Sequence, residues 1–408
     1  MKIRLDRLFI LIIAVLLVSC FCFVTIQKLF FNKEEEAPKV EDKIIYEKKI
    51  SSEVPLDRNI ETLITNYMDL YTESLATLEE KDITFLFSNE EEAYLAQTTI
   101  SYLIAHHKLQ PFDMKLNSAK YEITVTDVEE KDDKLIVTFL EDDYFKFNYI
   151  KDVESKAYDI KNTLTIELIE DEYKIVSLRK IQDYYVIFSN QYSKQSLEAT
   201  KTFLDNLKNK YLKESETKID DILKMKSNIK EIDTVCDNPY NREDAVSYSY
   251  NYITKRNSEW FDYSDIGGNC QNYVSQCLYS GGIPADESGS IYNQWKHHDS
   301  AINETEGVGR SYSWTTVGYF YDYIKSNVEN GICALPDSNF YLIEKGDVAE
   351  VGYDKRWGHT VLITESVKIN NEIVDYLVNS NTVNLENYPL LAYTYPDLRF
   401  IKILGWNN

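Results

Sequence analysis

The stretch Gly267-Gly268-Asn269-Cys270-Gln271-Asn272-Tyr273-Val274-Ser275-Gln276-Cys277 has the pattern of a sharp turn followed by a helix. Adjacent glycines permit a turn that other residues would strain. Apolar residues then recur at the i, i+3 and i+4 spacing of a helical face, and Gly281-Gly282 ends the pattern. Cys270 therefore opens the helix, where unpaired N–H groups and the helix dipole favour an anion. We expect this thiol to ionise readily and to act as a nucleophile, although a cysteine in such a motif can also be a small buried apolar residue.

A histidine and several amides follow at the ends of predicted strands. One strand covers Arg356 to Thr364 and carries His359 near its start, and the next ends before Asn379-Ser380-Asn381. A thiol nucleophile needs a base within hydrogen-bond reach, and the base needs a third group that orients its ring. The candidate catalytic residues are therefore Cys270, His359 and Asn381, with Asn379 and Ser380 as alternatives for the third position.

The segment from Tyr240 to Trp406 resembles the putative amidase domain of Gram-positive bacteria, a family related to the NlpC-type cell-wall peptidases. The resemblance covers roughly two fifths of the chain and rests on short motifs. These are Tyr240-Asn241-Arg242, Gly268 to Leu278, Gly281-Gly282, Ser313-Trp314, Gly346-Asp347-Val348, His359-Thr360-Val361 and Asn387-Tyr388-Pro389-Leu390.

The resemblance implies a papain-like fold and a cysteine-dependent hydrolase of amide bonds, with cell-wall peptide as its substrate. Cys270 would attack the carbonyl carbon, His359 would exchange the proton, and Asn381 would orient His359. The alternative is a catalytically inactive protein that serves as a binding or scaffold protein at the cell surface. This sequence departs from the family at two points, since Asn269 stands where the family has Asp and Asn381 where it often has His.

The charge balance limits the possible partners. The chain has 408 residues and a formal net charge of -23. An excess of negative charge repels nucleic acid and anionic lipid surfaces, so no nucleic-acid partner is expected. Any attachment to a membrane must come from apolar residues.

Neither a metal nor a cofactor is expected. The six cysteines form no C-x-x-C pair, and a disulfide-stapled scaffold is not expected in so long a chain. The pair His106-His107 is interpreted as solvated or helix-capping residues, because adjacent side chains on a helix point about 100° apart. The pair His297-His298 is interpreted as solvated loop residues, because no carboxylate or thiol ligand lies at helical spacing from it.

The N-terminus has the features of a membrane anchor. Residues from Leu8 to Ile26 are almost entirely apolar and follow three basic residues, which predicts a single span with the bulk of the chain outside the cytoplasm. Leu17-Val18-Ser19-Cys20 also resembles a bacterial lipobox, so a lipoprotein with Cys20 lipidated, or a secreted protein, remains an alternative.

The expected fold class is α+β, in five segments. A C-terminal papain-like domain, with the Cys270 helix on a small antiparallel sheet, follows an α+β middle domain of helices and then an antiparallel meander, with a transmembrane helix at the N-terminus. The predicted boundaries are the anchor at 1–31, a charged linker at 32–55, the middle domain at 56–196, a charged connecting helix at 197–235, and the C-terminal domain at 236–408.

Overall fold

The computed structural model describes residues 44–193, 195–297, 309–327 and 330–408. The predicted anchor at 1–31 and the first half of the charged linker lie outside these residues. None of the helices in the described ranges has the length and apolarity needed to cross a bilayer. Residues 44–408 form one compact unit.

The first half of this unit consists of a strand, two long helices, a four-stranded meander and a short helix. These elements are β1 (Ile45–Ser52), α1 (Arg58–Thr77), α2 (Glu90–Leu109), β2 (Leu116–Lys131), β3 (Lys134–Phe147), β4 (Ser155–Ile169), β5 (Glu172–Lys180) and α3 (Asp183–Ser189). Both long helices begin at a side-chain cap, because Asp57 accepts from the N–H of Asn59 and Asn89 accepts from that of Glu92.

The second half begins with the connecting helix and ends in a run of antiparallel strands. Its elements are α4 (Leu197–Met225), α5 (Arg242–Asn251), α6 (Cys270–Ser280), α7 (Tyr312–Thr315), α8 (Val317–Ser326), β6 (Gly331–Leu335), β7 (Val348–Tyr353), β8 (Arg356–Ile369), β9 (Glu372–Ser380), β10 (Asn384–Pro389) and β11 (Asp397–Asn407). The helix predicted to begin at Cys270 is therefore present as α6.

The predicted fold class is wrong about the sheets. The C-terminal strands do not form a small sheet of their own: all strands named above join one eleven-stranded mixed sheet. Its order is β1-β2-β3-β4-β10-β9-β8-β7-β11-β6, with β5 also paired to β4. The β1–β2 pair is parallel, and the other pairs are antiparallel.

The two halves join because β4 is longer than β5. The hydrogen-bonded partners of β5 on β4 run from Asn162 to Ile169, which leaves the first part of β4 without a neighbour on that side. An open strand edge presents unpaired N–H and C=O groups that favour pairing. Strand β10 occupies this edge, with Leu385 opposite Ala157.

Two adjacent histidines near the end of α2 are buried rather than solvated. His106 and His107 are 0% and 1% exposed. The segment after β10 covers them: the Oη of Tyr102 donates to the carbonyl of Thr394 at 2.6 Å, and the Nε2 of His107 lies 3.3 Å from the carbonyl oxygen of Ala392. The interpretation as surface residues was wrong because a segment nearly 300 residues away along the chain packs over this helix end.

The C-terminal half also contains a disulfide bond that the cysteine spacing did not predict. Cys236 and Cys333 are paired across 97 residues, with their Cα atoms 6.0 Å apart. The bond ties the segment before α5 to the edge strand β6. Among the cysteines in the described ranges, Cys270 and Cys277 are free.

Candidate active site

The turn before α6 places Cys270 at the first position of that helix. Gly267 and Gly268 have φ values of 101° and 109°, which lie in the left-handed region that favours glycine. The N–H of Asn269 donates to the hydroxyl of Thr382 at 2.9 Å, which fixes the turn against the segment that follows β9.

The side chain of Asn269 is the centre of a buried hydrogen-bond network. Its Nδ2 donates to the Oδ1 of Asn381 at 3.0 Å. Its Oδ1 accepts from the N–H of Tyr263 at 3.1 Å and from the Nδ2 of Asn272 at 2.8 Å. A neutral amide suits this position because it both donates and accepts, whereas a carboxylate could only accept.

The thiol of Cys270 lies in a nearly closed environment, with the residue 8% exposed. Burial raises the pKa of the Cys270 thiol, because a thiolate loses its hydration there. The backbone N–H groups of Thr360, Gln271 and Cys270 itself act in the opposite direction, since they favour the thiolate. The expectation of easier ionisation was therefore wrong: desolvation outweighs the helix N-terminus.

His359 lies on β8 and immediately precedes Thr360, whose backbone N–H is at the sulfur of Cys270. The hydroxyl of Thr360 donates to the Oε1 of Gln271 at 3.0 Å, which joins β8 to α6. His359 itself borders a cavity whose wall also contains Thr382 and Tyr395. It is 8% exposed, and burial lowers its pKa to about 4. The imidazole is therefore neutral at pH 7.

A tyrosine contacts His359 in the position predicted for an amide. The Oη of Tyr393 lies 3.4 Å from the Nε2 of His359 and 3.3 Å from the Oγ of Ser380. Of the three alternatives for the orienting residue, Ser380 is thus the one connected to His359, through Tyr393. Nothing in the sequence pattern marked Tyr393, which follows a short 3₁₀ turn after β10.

The amides at Asn379 and Asn381 are engaged elsewhere. Besides accepting from Asn269, Asn381 donates to the carbonyls of Ile253 at 3.0 Å and Tyr252 at 3.3 Å. Asn379 donates to the Oγ of Ser249 and accepts from the N–H of Asn387. Within the described residues, the hydrogen bonds of Asn381 support the turn before Cys270 and do not reach His359.

Cys277 and Trp314, near Cys270 in sequence or in the fold, are buried, whereas Trp357 is partly exposed. Cys277 is 0% exposed. Trp314 packs against Trp295, with ring centroids 4.6 Å apart, and its Nε1 donates to the Oδ1 of Asn272 at 2.9 Å. Trp357 packs against the guanidinium of Arg399, 4.1 Å from the ring centroid.

The histidine pairs do not form a metal site in the part of the chain that the structure describes. No group of three or more His, Cys, Asp or Glu side chains there is arranged to hold a metal ion. His297 packs edge-on against Trp260, with ring centroids 5.1 Å apart, and His298 lies outside the described residues.

A cavity of about 170 Å³ borders His359. Its wall contains Gly358, Thr382 and Tyr395 from the C-terminal half, together with α1, α2, α3, β3 and β4 side chains from the first half.

Comparison with known proteins indicates the class of the C-terminal half. Residues 239–403 match the family described as "Putative amidase domain", which indicates a hydrolase of amide bonds. The chain is also 29% identical over 164 residues to an uncharacterized protein, YhbB, of Bacillus subtilis (strain 168). That alignment covers 40% of this chain and 49% of the relative, so the chain spans about half of the relative's length. No solved structure gives a significant match.

Proposed function

We propose that the protein is a cysteine-dependent amide hydrolase in which Cys270 is the nucleophile and His359 the general base. One observation carries the proposal: Cys270 opens α6 with its sulfur at the N–H of Thr360, and Thr360 is the residue next to His359. The family match over residues 239–403 supports the type of bond.

The protonation states define how such a reaction would begin. A neutral His359 can accept a proton at pH 7, since its pKa is about 4, and the raised pKa of Cys270 keeps the thiol protonated until a substrate arrives. As sulfur attacks the carbonyl carbon, the thiol proton passes to His359, which returns it to the leaving amine. Water then hydrolyses the thioester, which releases the acid and the free thiol.

The neighbouring residues would position these two groups. Backbone N–H groups at the start of α6, including that of Cys270, would stabilise the charge that the carbonyl oxygen gains. Asn381 holds Asn269 and so fixes the turn that carries the nucleophile. Tyr393 fixes the ring of His359.

We further propose that the protein acts outside the cytoplasm. The Cys236–Cys333 disulfide supports this, because such bonds persist in oxidising compartments. The apolar segment Leu8 to Ile26 would hold it at the membrane, or Cys20 would carry a lipid. The resemblance to the putative amidase domain implies a relation to cell-wall peptidases, so cell-wall peptide is the first substrate to test.

A matched pair of cysteine variants tests the proposal. In the full-length protein, Cys270→Ala should reduce amine release from wall peptides and small N-acyl amides by at least about a thousandfold, because the nucleophile is lost. Cys277→Ala removes the second free thiol of the residues that the structure describes and should retain activity within a few fold. Full activity in Cys270→Ala would refute the proposal.

A second candidate is a non-catalytic binding protein. The raised pKa and near-complete burial of Cys270 favour it, because both reduce thiol reactivity. If Cys270 is a nucleophile, iodoacetamide should alkylate it in the free protein, and a bound substrate analogue should slow the reaction by covering the sulfur. If the thiol stays inert in the free protein at every pH from 6 to 9, the binding role is the better one.

A further inference from the structure

We propose that the cavity beside His359 receives the amine half of the amide substrate and selects a neutral aromatic or branched aliphatic group there. The residues that determine this selectivity mainly precede residues 239–403, the region that matches the putative amidase domain. This inference rests on the proposed hydrolase function, and its test separates the two.

The position of the cavity assigns it to the amine side. His359, Gly358 and Thr382 form part of its wall, and the hydroxyl of Thr382 holds the N–H of Asn269, the residue before the nucleophile. The general base must return its proton to the leaving nitrogen. The amine therefore lies on the His359 side of the scissile bond, and its substituent points into the space beside that ring.

The lining of the cavity defines the chemistry of that substituent. Apolar and aromatic side chains dominate the wall: Tyr71, Leu75, Leu103, Phe145, Tyr184 and Leu385. A volume of about 170 Å³ is close to that of engineered apolar cavities of about 150 Å³, which bind benzene. The space fits one phenyl ring or one branched aliphatic side chain.

The charged group in the wall is already engaged. The Oδ2 of Asp183 accepts from the N–H of Thr394 at 2.6 Å and from its hydroxyl at 2.9 Å. Gln182 is likewise engaged, since it accepts from the Oη of Tyr71 at 3.4 Å. A carboxyl group at the wall disfavours an anionic substituent, and its existing hydrogen bonds leave little to attract a cation. A neutral group is therefore preferred.

The selecting residues come mainly from the first half of the unit. More than half of the wall residues precede residue 239, where the family match begins. Ala157 on β4 is 2% exposed and lies opposite Leu385 of β10, at the junction of the two halves. Substrate preference should therefore respond to substitutions far from Cys270 in sequence.

The first experiment measures binding without catalysis. Benzene should raise the thermal midpoint of the full-length protein and of Cys270→Ala by about 2 °C or more, because a ligand that binds only the folded state stabilises it. Ala157→Leu fills the cavity and should abolish this shift. No shift with benzene, or a larger shift with the cation benzamidine, would overturn the proposal.

The second experiment measures selectivity as a ratio, which cancels a general loss of folded protein. Release of benzylamine and of methylamine from the two N-acetylalanine amides is compared in each variant. Ala157→Leu should lower the benzylamide-to-methylamide ratio of kcat/KM at least tenfold. Phe145→Leu, which enlarges the same space, should not lower it and should raise it for a naphthylmethylamide.

The outcomes of the two experiments separate the two proposals. If benzene binds and neither amide is cleaved, the cavity assignment as a neutral apolar site stands and the hydrolase function fails. If both amides are cleaved with a ratio that neither variant changes, the hydrolase stands and the cavity proposal is wrong.

Discussion

Replacement of Asn381 by Ala tests whether this residue positions the nucleophile or the base. The side chain makes three hydrogen bonds, one to Asn269 and two to the carbonyls of Tyr252 and Ile253. Each buried bond contributes a net 0.5 to 1.5 kcal/mol, so their removal should lower the free energy of unfolding by about 3 kcal/mol. Urea unfolding with an unchanged slope measures this loss.

The turn before Cys270 should loosen when its support is removed. Alkylation of Cys270 by iodoacetamide, followed by mass spectrometry of the peptide that carries it, should become several fold faster in Asn381→Ala. The 15N shifts of the His359 ring at pH 7 should stay unchanged, because Tyr393 remains in place as its hydrogen-bond partner.

The neighbouring amide provides a matched control. Asn379 is equally buried and makes two side-chain hydrogen bonds, to Ser249 and Asn387. Asn379→Ala should therefore cost about 2 kcal/mol and leave alkylation of Cys270 unchanged. A shift of the His359 resonances in Asn381→Ala, with Cys270 no more reactive than in the control, would refute this account and restore Asn381 as the residue that orients the base.

Two further predictions concern stability. Burial lowers the pKa of His107 to about 4 from an ordinary 6.5. The stability that the neutral ring contributes to the folded protein is therefore fully present above pH 6.5 and is lost as the pH falls towards 4. Between pH 7 and pH 5 the free energy of unfolding falls by about 2 kcal/mol from this group. His107→Gln should remove that part of the pH dependence, as measured by urea unfolding at each pH. The same pH dependence in both proteins would contradict the burial of His107. Reduction of the Cys236–Cys333 bond, which closes a loop of 97 residues, should lower the free energy of unfolding by about 4 to 5 kcal/mol. A Cys236→Ser/Cys333→Ser protein as stable as the oxidised wild type would show that the bond does not constrain the unfolded chain.

Local pattern was sufficient for the elements that carry the candidate site. The glycine pair and the helical spacing predicted α6 with Cys270 at its first position. Asn241 precedes α5 as its N-cap, a position that favours Asn, and its side chain accepts from the N–H of Asp244. The strand with His359 was expected from Arg356 to Thr364 and extends from Arg356 to Ile369. Turns, caps and short periodic runs depend on neighbours within a few residues, which the sequence displays directly.

Contacts between segments far apart in the chain could not be predicted from local sequence pattern. The pairing of β10 with β4 depends on which part of a long strand its hairpin partner leaves open, and this follows from relative strand lengths in the folded sheet. Burial of His106 and His107 depends on the same segment that supplies Tyr393 to His359. The raised pKa of Cys270 likewise results from desolvation by packed neighbours. Residue type and spacing thus identify which groups can perform chemistry, whereas their partners and charge states depend on packing between segments far apart in the chain.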